Sequence, residues 1–110
     1  MRKLILVVLA LSAVAALAGT ALAATRSIKV GDNYYVRSRG VPTVTVTKGT
    51  KVKWRFTTDT GHSVTVTRGP TKFNSGVRTG GSYSRTMRKR GTYRIHCVIH
   101  SDQKMKLVVK

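Results

Sequence analysis

The chain's only cysteine, Cys97, stands three residues ahead of a histidine, His100, where a strand-like run gives way to a loop. The segment reads Tyr93-Arg94-Ile95-His96-Cys97-Val98-Ile99-His100-Ser101-Asp102-Gln103-Lys104-Met105. A thiolate and an imidazole at this spacing can fold back onto one ion. A second imidazole, His62, lies far upstream at the head of another strand-like run. In a β-sandwich, loops from distant parts of the chain gather at one end. Two imidazoles and one thiolate in a trigonal array, with a weak fourth donor, suit copper that cycles between its two oxidation states. Gln103 and Met105, a few residues further on, share one strand parity. A cysteine by itself has blander uses, as a small buried hydrophobe or an intermolecular bridge. Metal ligation would also protect a thiol in an oxidising compartment.

The elements that must position these donors follow from hydropathy alternation. Val44 and Val46 alternate with Thr43, Thr45 and Thr47, and Lys48-Gly49-Thr50 makes a turn. Val52, Trp54 and Phe56 then alternate with Lys51, Lys53 and Arg55, giving a strand with an apolar and a cationic face. Residues 57–61 read as a loop, and His62, Val64 and Val66 as one face of the next strand. The stretch 71–81 is broken by glycine and serine. A strand over Tyr83 to Met87 contains one misfit, Arg85, on the parity of its apolar residues. Arg88-Lys89-Arg90-Gly91 is a solvated turn. Tyr93, Ile95 and Cys97 share one face of a strand that turns Arg94 and His96 outward, and a last strand runs from Met105 to Val109. Short strands with regular turn signals and no helical period predict an all-β sandwich or barrel.

With these segments in hand, the chain resembles the plastocyanin/azurin (cupredoxin) family of blue-copper proteins over residues 24–110. The resemblance rests on Val46-Thr47-Lys48-Gly49-Thr50-Lys51-Val52-Lys53-Trp54, Gly61-His62-Ser63-Val64 and Phe73-Asn74-Ser75-Gly76. It closes on Gly91-Thr92-Tyr93 through Cys97, His100 and Lys106-Leu107-Val108-Val109. It implies a Greek-key β-sandwich with one copper ion at a pole, held equatorially by His62, Cys97 and His100. In small amicyanin-type members the axial Met follows the ligand His after two residues, which is the place of Gln103. Plastocyanin-type loops put it after four, which is the place of Met105. The final strand fits the shorter loop without a gap. The resemblance therefore favours Gln103 as axial donor, similar to the stellacyanin arrangement, with Met105 as the alternative. It also implies that the imidazole of His100 is the port for electrons. His96, on the opposite parity, is a surface residue whose backbone adjoins the ligand.

Arg2 and Lys3 precede an apolar run from Leu4 to Gly19, followed by Ala21-Leu22-Ala23. That is the order of a secretory signal peptide over residues 1–23, and the run is short for a bilayer span of about 20 residues. Residues 24–110 then form one exported domain, bound for the periplasm, the cell surface or the medium. The 110 residues carry 21 Lys and Arg against three acidic residues, Asp32, Asp59 and Asp102, a formal charge of +18. Such a field favours anionic partners. An acidic redox protein is the expected one, and an anionic membrane or cell-surface polymer is also permitted. The scarcity of aromatics and the lack of a stacking motif argue against nucleic acid, and a monomer is expected. A single metal site without paired carboxylates or a Ser-His-Asp arrangement argues against an enzyme. The expected function is single-electron transfer. A copper scavenging or delivery role and a basic non-redox module for anionic polymers are the alternatives.

Overall fold

The computed structural model describes residues 24–110; the signal-peptide expectation lies outside the described residues. Among the described residues, eight strands make two four-stranded sheets packed face to face. The first sheet runs β2 (Tyr34–Tyr35), β1 (Thr25–Gly31), β4 (Lys51–Phe56), β6 (Ser82–Thr86). The second runs β3 (Thr43–Val46), β8 (His100–Val109), β7 (Gly91–Cys97), β5 (Thr65–Arg68). From β2 to β7 every connection crosses from one sheet to the other. The pairs β1–β4 and β3–β8 are parallel, and the remaining neighbours are antiparallel.

Alternation explains the core. In β4, Val52, Trp54 and Phe56 are buried while Lys51 and Arg55 face solvent. In β7 and β8, Tyr93, Ile95 and Cys97 and then Met105, Leu107 and Val109 point inward. Trp54 sits at the centre, fully buried, with Phe73 and Tyr83 against it at ring distances of 5.8 and 6.2 Å. Tilted aromatic pairs at this spacing add to the energy of area burial. At the turn before β7, Gly91 has φ 142°, and a Cβ there would meet Pro70 Cγ at 2.5 Å. The position admits only glycine.

The structure differs from the sequence-based expectation in four places. Alternation from Val44 onward gave no account of residues 25–35, which form β1 and β2 through the two-residue turn Asp32-Asn33. Asn33 takes φ 65°, a left-handed conformation that Asn tolerates. His62 does not open a strand. Strand β5 begins only at Thr65, and His62, Ser63 and Val64 are all buried because this segment runs through the interior. It is tied to the irregular 71–81 stretch by the His62–Arg78 bridge and by Ser75 N–H donating to Val64 O at 2.9 Å. The final strand starts at His100 rather than Met105, because β7 and β8 are joined by the two-residue turn Val98-Ile99. Arg85 keeps the inward parity of β6 but lies on an edge strand, where its guanidinium stands 5.0 Å from the Phe73 ring centroid.

Trp54 carries a further cost: its indole Nε1–H is buried with no partner. Burying an unpaired donor costs about 1–3 kcal/mol. Trp54→Ala should lower stability by about 3–5 kcal/mol. Trp54→Phe should lose well under half of that, because it removes the orphan donor along with part of the volume. Urea midpoints of the two variants check this.

Candidate metal centre

Strand pairing builds one end of the site. The β7–β8 ladder runs regularly from Gly91↔Val109 to His96↔Lys104, then jumps to Cys97↔His100. Ser101, Asp102 and Gln103 therefore have no partner on β7 and bulge from β8. Ser101 and Asp102 face solvent, while Gln103 turns inward and is fully buried. The same irregularity brings the ends of the two strands together, with Cys97 Sγ 3.4 Å from His100 Nδ1.

His62 arrives from the opposite side of the chain. One ligand atom from each of His62, Cys97 and His100 lies within 4.8 Å of the other two. The two imidazole rings are 4.7 Å apart, centroid to centroid. His62 and Cys97 are buried, and His100 is half-buried, so it alone of the three reaches the surface. The structure thus joins the three residues expected from spacing.

Ser63 holds this arrangement. Its N–H donates to Cys97 Sγ at 3.4 Å, and its Oγ accepts from Val98 N–H at 3.0 Å. Its carbonyl accepts from the phenol of Tyr35, a fully buried residue of β2. Burial, and secondarily the charge of Cys97, push the Tyr35 phenol far above its ordinary value of 10.0, so it remains a donor.

Gln103 lines the site through its amide oxygen. Its Nε2 donates to Gly31 O at 3.2 Å and Tyr34 O at 2.9 Å. Those two carbonyls fix which end of the amide is which, and Oε1 is left facing His62 Nδ1 at 2.8 Å. On the far side of the ring, His62 Nε2 meets Asp32 Oδ1 at 3.2 Å. A neutral imidazole has one N–H for these two acceptors. With that proton on Nε2, Nδ1 and Oε1 turn lone pairs toward the same space, an arrangement that a cation completes. The donor set of thiol sulfur, two imidazoles and an amide oxygen fits copper. Met105 is also buried, but it stands opposite Ile95 in the regular ladder, within the apolar cluster. His96 lies on the outer face of the second sheet between Thr65 and Lys104.

Three supporting residues carry no chemical signature in the sequence. Asp32 is exposed, and its hydrogen bond with His62, helped by Thr58, holds its carboxyl below the usual value. An acidic partner on the outer ring nitrogen orients a ligand imidazole and settles its tautomer. The turn signal Gly31-Asp32-Asn33 between apolar residues could have placed this hairpin, although not its contact with His62. Tyr35 and Ser63 have ordinary neighbours and no such signal.

Tyr35→Phe leaves Ser63 O without its donor and should lower stability by about 1–3 kcal/mol. Because the folded value of Tyr35 is raised, its contribution is full below pH 10.0 and is lost as pH rises beyond it. Stability should therefore fall less steeply above pH 10.0 in the variant than in the wild type, as read from denaturant midpoints across that range.

No family model and no curated protein matches the sequence. Solved structures do. The chain is similar to a methionine-to-alanine variant of amicyanin in its Cu(I) form, at 23% identity and a TM-score of 0.67, over 84% of this chain and 89% of the other. It is similar to a methionine-to-glutamine variant of amicyanin with Cu(I), at 24% identity and a TM-score of 0.66, over 78% and 82%. A copper-containing nitrite reductase from Thermus scotoductus aligns at 22% identity and a TM-score of 0.65, over 81% of this chain but only 22% of that one. The two sheets, their order and these alignments establish that this chain has the cupredoxin fold.

Proposed function

We propose that the protein is an exported blue-copper electron carrier that holds one copper ion on His62, Cys97 and His100, with Gln103 as axial donor. The observation that carries this reading is the convergence of three donor atoms within 4.8 Å from separate segments, two of them buried. Copper held there would supply one-electron exchange between Cu(I) and Cu(II). The neighbouring amicyanin structures include reduced Cu(I) and oxidised forms, which supports a redox role.

The residues of the chain do the rest. Ser63 and Tyr35 lock His62 to the Cys97 end of β7, so the donors cannot rearrange freely. The Ser63 N–H directed at Cys97 Sγ tunes the sulfur, one of the levers on the potential of such sites. Gln103, pinned by two backbone carbonyls, presents a hard oxygen donor. His100 reaches the surface beside Val98 and Ile99, half of whose area is exposed, and so offers the shortest path for electrons. All three aspartates, Asp32, Asp59 and Asp102, lie in segments bordering this end, while the cations spread over strands and turns. The excess positive charge would steer an acidic redox partner from a distance, more weakly as salt is added.

Cu(II) added to the purified protein should give an intense thiolate-to-copper band in the visible, absent in Cys97→Ser. A colourless wild type would sink the assignment. Gln103→Met should raise the reduction potential, because a soft thioether favours Cu(I) more than an amide oxygen does. An unchanged potential in voltammetry would remove Gln103 from the axial position.

A further inference from the structure

The outer face of the first sheet carries a pattern unconnected with the metal end. Strand β4 turns Lys51, Lys53 and Arg55 outward, and alternate residues of a strand lie about 6.8 Å apart. Register places a neighbour on each side of every one of them. Lys51 lies between Thr25 of β1 and Thr86 of β6, and Lys53 between Ser27 and Ser84. Arg55 lies between Lys29 and Ser82. Residues paired across strands point to the same face, so a column of three cations is flanked by two columns made almost wholly of hydroxyls. Thr25, Ser27, Ser82, Ser84 and Thr86 are all exposed. No carboxylate pairs with any of these cations among the described residues. Stacked like charges with no counter-charge work against a fold of this size, and a bound anion would relieve that repulsion.

We infer that this face is a binding track for an extended phosphodiester polymer with polyol linkers, such as a cell-surface polymer, one phosphate resting on each row. Each row offers a cation with donors beside it. The two charged oxygens of a phosphodiester diverge from a tetrahedral phosphorus, so a cation and a flanking hydroxyl of one row can each meet one of them. The several backbone atoms between successive phosphates let the polymer match the row spacing. No exposed large apolar side chain lies on the three strands, so the face has nothing to insert into a membrane. Those three strands turn no aromatic ring outward on which a nucleobase could stack, and the ring of Tyr34 on the edge strand β2 has the Lys29 ammonium 5.7 Å from its centroid.

The test measures binding of the copper-loaded protein to poly(glycerol phosphate) at several salt concentrations. Lys51→Ser/Lys53→Ser/Arg55→Ser should weaken binding at least about tenfold and flatten the salt slope by roughly one unit per cation removed. A control triple on the other sheet, Arg68→Ser/Arg94→Ser/Lys106→Ser, removes the same charge from a row running across strands, and should cost at most about a third as much. Ser27→Ala/Ser84→Ala keeps every charge and should weaken binding a few-fold with an unchanged slope. An unaltered far-ultraviolet circular dichroism spectrum shows that each variant is folded. Equal losses from the two triples would reduce the effect to net charge and overturn the proposal. So would tighter binding to polyglutamate, to single-stranded DNA or to phosphatidylglycerol vesicles than to the phosphate polymer.

Discussion

Everything at the metal end depends on the burial of Ser63. Its carbonyl, amide and hydroxyl each have a partner on a different element: Tyr35 of β2, Cys97 of β7 and Val98 of the following turn. A buried backbone segment that is not in a ladder must find such partners or forfeit stability. By satisfying them, the chain fixes the preceding residue, His62, against strands that enter from the other sheet. The ligand geometry is thus a by-product of backbone hydrogen-bond satisfaction, which is why it can be rigid without being part of a regular sheet. Rigidity would matter for the proposed electron carrier, because little rearrangement between oxidation states means a low barrier to exchange.

The same logic explains Gln103. A three-residue bulge at the start of β8 interrupts the ladder, yet it delivers one buried amide whose two ends are sorted by their surroundings. The backbone carbonyls of Gly31 and Tyr34 take the nitrogen. The oxygen is then the only end left for the metal side. The β1–β2 hairpin therefore serves the site three times, through those carbonyls, through Tyr35 and through Asp32 at its tip. A short edge hairpin with no donor atom of its own in the ligand set governs how two of the donors are presented.

The separation of charge has a structural basis. Cations occupy exposed positions on strands and in turns alike, while the three acids sit in the β1–β2 turn, in the loop before His62 and in the bulge of β8. Short hydroxyl side chains line both sides of the β4 cation column, which keeps further long charged side chains away from it at the Lys51 and Lys53 rows.

Much of this was legible in the sequence because alternation is a local property. The β4, β7 and β8 faces, the buried Trp54 and the pairing of Cys97 with His100 across a tight turn follow from residue type and spacing alone. The resemblance to cupredoxins, through its two loop lengths, narrowed the expected fourth donor to Gln103 or Met105. What the sequence could not decide was contact between segments far apart in the chain. Nothing local shows that residues 62–64 abandon alternation and run buried, since Val64 and Val66 fit a strand equally well. That Asp32 meets His62, 30 residues away, and that Gln103 reaches back to Gly31 and Tyr34 depend on how the two sheets are laid together. Only the closed sandwich sets those distances, because hydrogen-bond partners are chosen by three-dimensional proximity and a one-dimensional pattern carries no record of it.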